Sequence, residues 1–246
     1  MIKVLRKAFG ILENVAEKKG EAVFLGNLAK KLNLAQPTCS RIVKELVSMG
    51  YLEQTPLSKG FIPGPMAYSL AHGSSYRKDI IDIAGPLIHK CAEEIKESVL
   101  IAVLNNGRRY VPYHHNGNPE LQIIIDKPYY EDIYTTATGR MLLAYSAETE
   151  IKEYIEKNGL PGERWEKINS EDELLKELCK IKQNAFVSDE GKQLIIFAYP
   201  IFQRNTMLAA LGCSVPKNNF MKKNKEYILQ ATRQTAERIS KILTER

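Results

Sequence analysis

A group of polar and basic side chains between positions 36 and 48 has the clearest potential for chemistry. The group consists of Gln36, Pro37, Thr38, Ser40, Arg41 and Lys44. An arginine such as Arg41 can donate two parallel hydrogen bonds to a guanine edge, and the amide of Gln36 matches adenine in a similar way. Hydroxyls and lysines serve bases or phosphates alike. These residue types are typical of a surface that reads duplex DNA, although any solvent-facing helix also carries polar residues.

The elements that must position these side chains follow from the apolar spacing. Three sets of apolar residues recur at helical intervals, and each set forms one face of a predicted helix. They are Leu5, Ala8, Phe9, Leu12 and Ala16; Leu25, Leu28, Ala29 and Leu32; and Cys39, Ile42, Val43 and Leu46. About four residues, 33–36, separate the second helix from the third, and so tight a connection is typical of a helix-turn-helix. Pro37 fits the first turn of the third helix, where its missing N–H costs nothing.

A short hairpin is predicted directly after the third helix. Residues 51–54 and 61–62 have strand character, and residues 56–60 have the composition of a turn. A hairpin in this place is the wing of a winged helix-turn-helix, and its tip brings Ser58 and Lys59 within reach of a phosphate or the minor groove. The combination predicts a DNA-binding domain over residues 1–64, with double-stranded DNA as its partner.

The distribution of charge supports a polyanion as the partner of this first region. The chain of 246 residues has 35 Lys and Arg against 29 Asp and Glu, a net charge of +6. Residues 1–78 hold 12 of the basic and only 5 of the acidic residues, so the whole excess of positive charge lies there. A basic region beside a nearly neutral one indicates a nucleic-acid-binding module attached to a domain of another kind.

Residue content disfavours several functional classes. No apolar run is long enough to span a membrane, and the four cysteines are too widely spaced for a zinc ribbon or a disulfide framework. His114 and His115 are adjacent, and neighbours on a strand point to opposite faces, so they do not share a metal ion there. We therefore expect a cytoplasmic protein with no membrane partner, no metal, no cofactor and no catalytic residues.

Beyond residue 79 the pattern predicts an α+β domain, with helices flanking a mostly antiparallel sheet. A helical apolar pattern over 80–95 opens it, with Gly85-Pro86 expected to kink that helix or to begin a new one. Asn106-Gly107 is a strong hairpin signal, and Trp165 is expected to cover a surface helix. The predicted strands are 99–104, 109–113, 121–125, 193–201 and 207–214. The later predicted helices are 138–145, 148–157, 171–183 and 227–243.

The sequence as a whole resembles the isocitrate lyase regulator (IclR) family of bacterial transcription regulators. The family's recognition-helix pattern, Leu-Pro-x-Ser-Thr-x-x-Arg-Leu-Leu-x-x-Leu, is similar to residues 34–46. Thr38 and Arg41 match it, and Pro37 takes the place of the usual serine. The steps into and out of the wing are also similar, at Gly50-Tyr51-Leu52 and Phe61-Ile62-Pro63-Gly64.

The resemblance implies how the rest of the chain is organised. Residues 65–78 correspond to a linker and dimerisation helix, and residues 79–246 to a GAF-like effector-binding domain. The linker residues that share one helical face are Met66, Ser69, Leu70 and Gly73. Family members assemble with copies of themselves, so the resemblance implies a homodimer or a homotetramer.

A pocket for the effector is implied by the same resemblance. Residues 132–140 are similar to the family motif Pro-Leu-His-Ala-Thr-Ala-x-Gly-Lys, and they keep its Thr-Ala-x-Gly core. This core opens a helix, whose N-terminus favours a carboxylate or a similar anion. Ile195 and Gly212 stand near the positions of a family Cys and Ser, so we expect a ligand that is bulkier or more apolar than a two- or three-carbon oxyacid. The expected effector-binding residues are Tyr134, Thr136, Ala137, Thr138, Gly139, Asp189, Ile195, Gly212 and Ser214.

These inferences predict a ligand-responsive regulator that binds pseudo-palindromic operators as a dimer or tetramer. One alternative is a DNA-binding dimer whose second domain only assembles and no longer binds an effector. Another is a winged helix that binds RNA or protein, for which weak, sequence-independent binding is expected. A response of DNA affinity to a metabolite separates the first alternative from the sensor hypothesis.

Overall fold

The chain divides into two units, residues 1–75 and 76–246. The computed structural model describes residues 2–18, 21–56, 58–71, 76–119, 124–125, 127, 129–222 and 225–245. Within these ranges no helix is long and apolar enough to cross a lipid bilayer.

The first unit is a winged helix-turn-helix, as the sequence predicted. Its helices are α1 (Lys3–Ala16), α2 (Leu25–Lys31), α3 (Gln36–Ser48) and α4 (Pro65–Ala71), and its strands are β1 (Leu52–Gln54) and β2 (Phe61–Pro63). The strands pair antiparallel, with Leu52 opposite Pro63 and Gln54 opposite Phe61. Val23 forms an isolated antiparallel bridge with Phe61 and so adds a third strand position to the wing. Pro37 lies in the first turn of α3, as expected.

The buried face of α1 differs from the predicted one. Ile11 and Val15 are fully buried, whereas Leu5 is 51% and Phe9 is 60% exposed. Ala8 and Leu12 are partly buried against the same core, which contains the predicted apolar faces of α2 and α3. The helix has apolar residues on two faces, and the spacing of either set fits a helix equally well. The prediction was therefore wrong for Leu5 and Phe9, whereas Ala8 and Leu12 of the predicted face do pack against the core.

The second unit has the predicted α+β architecture. Its helices are α5 (Lys78–Ile95), α6 (Ala137–Ala144), α7 (Glu148–Asn158), α8 (Glu171–Asn184), α9 (Lys217–Lys222) and α10 (Lys225–Thr244). Its strands are β3 (Ser98–Asn105), β4 (Arg108–Asn116), β5 (Val187–Glu190), β6 (Leu194–Gln203) and β7 (Thr206–Pro216). The strands form one sheet in the order β4-β3-β7-β6-β5, and every adjacent pair is antiparallel.

Two apolar cores lie on opposite faces of this sheet. Residues of α5 and α10 pack on one face, against side chains such as Ile101, Phe197 and Leu211. Residues of α6, α7 and α8 pack on the other face, against Ala102, Ala198 and Ala210. Because side chains alternate along a strand, each central strand contributes to both cores. The small residues on the second face allow α6 to lie close to the sheet.

Several predicted details of the second unit need correction. Helix α5 runs without interruption through Pro86, so the alternative that a new helix begins at this proline is wrong, and a kink there stays a prediction. Trp165 is only 3% exposed and belongs to the core under α6, although its neighbours in the sequence are polar. Of the strand predicted over 121–125, residues 121–123 lie outside the described residues, and residues 124–125 are not in a strand.

Candidate functional site

The outer face of α3 carries the side chains proposed to contact DNA. The residues of its predicted apolar face, Cys39, Ile42, Val43 and Leu46, are all buried. Gln36, Pro37, Arg41 and Lys44 are exposed on the opposite side, and Thr38 and Ser40 are partly exposed. Among the residues that the structure describes, Arg41 and Lys44 have no ion-pair partner. Both cations are therefore free to meet phosphates or base edges.

The tip of the wing is a tight turn held by its own side chains. The hydroxyl oxygens of Thr55 and Ser58 are 2.5 Å apart, and the amide of Gly60 donates to Ser58 Oγ at 3.3 Å. Lys59 has a left-handed backbone with φ of 58°, and its carbonyl accepts a hydrogen bond from Gln54 Nε2. The Ser58 hydroxyl thus helps to shape the turn, and the exposed Lys59 side chain offers a positive charge at its tip.

A cavity of about 220 Å³ lies in the second unit, where the start of α6 meets the sheet. Its walls come from strands β3, β4, β6 and β7, from the first turn of α6 and from three residues before that helix, Ile124, Ile125 and Tyr130. The lining residues are Leu100, Arg109, Ile124, Ile125, Tyr130, Thr136, Ala137, Thr138, Ile196, Phe197, Gly212, Cys213 and Ser214.

Close packing fixes the first turn of α6 against the sheet. Thr136 caps the helix, because its Oγ1 accepts a hydrogen bond from the amide of Gly139 at 3.1 Å. A Cβ atom at Gly139 would lie 2.2 Å from the carbonyl oxygen of Ile133, so only glycine fits there. A Cβ atom at Gly212 would lie 2.5 Å from Cγ2 of Thr138. The glycine on β7 therefore lets Thr138 reach the strand.

Five of the nine expected effector-binding residues line this cavity, namely Thr136, Ala137, Thr138, Gly212 and Ser214. The other four, Tyr134, Gly139, Asp189 and Ile195, are outside its lining. Ile195 faces the core under α5 and α10, and its neighbour Ile196 takes the place in the cavity wall. A one-residue error reverses the face of a strand residue, which explains this difference.

Tyr134 is a core residue. It is fully buried, its hydroxyl donates to the Gly159 carbonyl at 3.1 Å, and its ring packs edge-on against Tyr154. Burial raises the pKa of the Tyr134 hydroxyl well above its usual range. The phenol is therefore neutral and already has its hydrogen-bond acceptor, so its contacts are structural.

Asp189 forms an ion pair with Arg140, with 2.6 Å between Oδ2 and Nη2. The Arg140 side chain is only 3% exposed, its Nε donates to the Tyr134 carbonyl at 2.6 Å, and its guanidinium lies 4.7 Å from the Trp165 ring centroid. Burial lowers the pKa of Arg140, and the charge of Asp189 acts in the opposite direction. This ion pair connects α6 to β5. The Asp189 carboxylate is therefore already paired with a cation of the protein.

Arg109 is a cavity residue that sequence reasoning missed. It lies on β4 and is 6% exposed. Its Nη1 donates to Thr138 Oγ1 at 3.4 Å, and its Nε is buried with no hydrogen-bond partner among the residues that the structure describes. Burial lowers the pKa of this arginine. The sequence did contain a signal for this residue. Arginines 108 and 109 are consecutive on a strand that follows a hairpin turn, and because side chains alternate between the two faces of a strand, one of them must point into the domain.

Comparison with known proteins decides the family. The model of the IclR helix-turn-helix domain matches residues 4–56. The model described as "Bacterial transcriptional regulator IclR C-terminal" matches residues 72–241. The chain belongs to the IclR family. Members of this family are transcriptional regulators rather than enzymes.

Curated relatives of this IclR-family chain are regulators of distant sequence. HTH-type transcriptional regulator KdgR of Dickeya chrysanthemi is 23% identical over 227 residues, which cover 90% of this chain and 74% of that protein. HTH-type transcriptional regulator TtgV of Pseudomonas putida is 24% identical over 192 residues, which cover 76% of this chain and 71% of that protein.

Solved structures of the family share the fold of this IclR-family chain. An IclR homolog from Microbacterium hydrocarbonoxydans, complexed with 4-hydroxybenzoate, matches with a TM-score of 0.79 and 20% identity, over 99% of this chain and 100% of that chain. The Thermotoga maritima IclR matches with a TM-score of 0.70 and 22% identity, over 99% of this chain and 100% of that chain.

Proposed function

We propose that this protein is a transcription regulator that binds duplex DNA through α3 and the wing and responds to a small organic acid bound in its second unit. The observation that carries the proposal is the outer face of α3. It presents free cations and short polar groups on a helix-turn-helix whose apolar side is fully packed. A recognition helix needs both features: an apolar side that packs firmly against its own domain, and a polar side that is free to contact DNA.

The proposed DNA contacts come from two elements. On α3, Arg41 is the candidate for reading a base, and Gln36, Pro37, Thr38, Ser40 and Lys44 surround it. On the wing, Ser58 and Lys59 approach the backbone or the minor groove. The positive charge of the first unit adds a salt-dependent attraction to phosphates.

Self-association into a homodimer or homotetramer is part of the proposal. Apolar side chains on two helices of the first unit support it, because they are exposed within a single copy. Leu5 and Phe9 lie on α1, and Met66 and Leu70 lie on α4. Exposed apolar residues of this size are typical of protein interfaces. A two-fold dimer then presents two recognition helices to a pseudo-palindromic operator.

The proposed effector is an organic acid of modest size in the cavity beside α6. The residues proposed to bind it there are Thr136, Ala137, Thr138, Gly212 and Ser214. The structural relative from Microbacterium hydrocarbonoxydans was crystallised with 4-hydroxybenzoate, which is a carboxylate on a single ring. Binding of effector and DNA must be coupled reciprocally, so the operator changes effector affinity by the same factor as the effector changes operator affinity.

A selection of binding sites from random duplex DNA tests the DNA-binding function. Enrichment of a pseudo-palindromic consensus is the expected result, and this site then serves as the probe in fluorescence anisotropy. Arg41→Ala is expected to weaken specific binding by about 1–3 kcal/mol because a bidentate base contact is lost. Arg204→Ala, which removes the same charge from an exposed turn of the second unit, is the matched control and should leave affinity unchanged.

Three outcomes would each contradict one part of this proposal. Unaltered affinity and specificity in Arg41→Ala would remove Arg41 from base recognition, and weak binding without sequence preference would favour a different partner for the winged helix. Specific binding that responds to no organic acid would favour a second unit that serves only for assembly.

A further inference from the structure

The guanidinium of Arg109 is a buried positive charge without a neutralising partner in the described part of the chain. Its side chain lines the cavity beside α6. The hydrogen bond to Thr138 Oγ1 is long, at 3.4 Å, and joins it to a neutral hydroxyl. Nε has no hydrogen-bond partner within the same described residues. Buried charges in proteins are normally paired, since removing an ion from water is expensive.

The position of Arg109 is held firmly although its charge is unpaired. Its amide donates to the Tyr130 carbonyl at 2.8 Å, and the Tyr130 amide donates back to the Arg109 carbonyl at 2.8 Å. This bridge brings the Tyr130 ring to 4.7 Å from the guanidinium carbon. Cation–π attraction offsets part of the desolvation, but it leaves the in-plane N–H donors of the guanidinium available.

The neighbouring arginine shows the contrast along the same strand. Arg108 lies beside Glu131, with 3.3 Å between Nη2 and Oε1, and its guanidinium lies 4.0 Å from the Tyr129 ring centroid. Both arginines therefore have an aromatic neighbour, but among the described residues only Arg108 has a carboxylate beside it. Compared with Arg108, Arg109 therefore lacks a negatively charged partner in this part of the structure.

The lining and the volume of the cavity limit the size and polarity of the ligand that would carry this anion. The described lining residues include no Asp, Glu or second cation, and most are apolar, such as Leu100, Ile125 and Ile196. The volume of about 220 Å³ would hold roughly seven water molecules at their liquid volume, which corresponds to one ring or a short branched chain. Arginine's planar fork suits a carboxylate.

We propose that the Arg109 guanidinium is the anion-binding group of this cavity and that it pairs with the carboxylate of a small monocarboxylic acid whose remaining body is apolar. Thr138 supports the arginine from the first turn of α6, and the apolar walls receive the body of the ligand. The inference rests on the proposed sensor function and names the chemical class of its ligand.

Paired acids and amides of the same shape test this inference in the full-length protein. The probes are benzoate, phenylacetate and hexanoate with their amides, measured by isothermal titration calorimetry. At least one acid is expected to bind wild type about tenfold or more tighter than its amide. Arg109→Met should weaken that acid by about thirtyfold or more, because a buried charge pair loses one partner, and should leave the amide within about threefold.

Two further variants make the comparison specific. Arg109→Lys keeps the charge without the planar fork, so an intermediate loss of acid affinity is expected. Arg108→Met is the matched control, since it removes the adjacent arginine on the opposite face of the strand, and it should bind the acid as wild type does. If Arg109→Met does not fold, as judged by Trp165 fluorescence, Arg109→Lys takes its place: a loss of acid affinity with unchanged amide affinity is expected, and full acid affinity would overturn the inference.

The inference is overturned if none of the acids binds, if amides bind as well as acids, or if Arg109→Met keeps full affinity for the acid. Operator binding, measured in parallel without any acid, separates this failure from failure of the proposed function. Specific DNA binding together with Arg109-independent acid binding would refute the role of Arg109 alone. Acid binding through Arg109 without any DNA binding would refute the regulator function alone.

Discussion

Two buried arginines of the second unit, Arg140 and Arg109, are close to equal in burial and differ in their partners. Arg140 has the carboxylate of Asp189, the carbonyl of Tyr134 and the Trp165 ring. Arg109 has the Tyr130 ring and one long bond to the Thr138 hydroxyl. Buried polar groups are normally satisfied in a folded protein. A complete set of partners therefore marks a structural arginine, and an incomplete set at a cavity marks a binding one.

The largest effect predicted from this comparison is the loss of Arg140. Arg140→Met is expected to destabilise the second unit by about 3 kcal/mol, because it leaves the Asp189 carboxylate and the Tyr134 carbonyl without their partner. Urea unfolding followed by fluorescence of Trp165, the single tryptophan, measures this unit directly. Asp189→Asn is the companion variant, with a smaller expected loss. Wild-type stability in Arg140→Met would contradict the structural role.

A smaller effect is expected from adding volume beside the Arg109 cavity. Gly212→Ser brings a Cβ atom to the place where Thr138 Cγ2 is only 2.5 Å away. Overpacking of this kind costs about 1–3 kcal/mol, although serine is the residue that the family resemblance implies near this position. The double variant with Thr138→Ala should recover most of the loss in the same unfolding assay, since the two side chains compete for one space. Additive losses would contradict a direct clash.

The smallest effect on stability is expected at Arg109 itself. Arg109→Met should change the free energy of unfolding by less than about 1 kcal/mol, or should raise it, because an unpaired buried charge is replaced by an apolar side chain. Thermal and urea unfolding without ligand measure this, with Arg140→Met in the same experiment for comparison. A loss as large as that of Arg140→Met would show that Arg109 also has a structural role.

The sequence predicted the helix-turn-helix because its signals are local. The apolar spacing of Cys39, Ile42, Val43 and Leu46, the short connection before α3 and Pro37 at its start all act within a few residues. The polar face of α3 follows from the same periodicity. The antiparallel strands beside Asn106-Gly107 were also predictable, since that pair adopts the positive φ values the turn requires, 50° and 68°.

The choice between two apolar faces was not predictable from the sequence. In α1, the set with Ile11 and Val15 is buried inside the unit, and the set with Leu5 and Phe9 is exposed. Both sets have helical spacing, and burial depends on which neighbouring elements meet the helix. Ile195 and Ile196 present the same problem on a strand, where only the register of the sheet decides which one reaches the cavity.

The sequence by itself determined the two-part architecture, the family and the cation-bearing face of α3, because these depend on local periodicity and on motifs of contiguous residues. Only the tertiary structure decided that Asp189 pairs with Arg140 and that Arg109 has no carboxylate beside it in the described part of the chain. Arg109 is 29 residues away from its hydrogen-bond partner Thr138, and Asp189 on strand β5 reaches Arg140 on helix α6. The partners of a buried charge are set by the packing of distant elements, which no local pattern encodes.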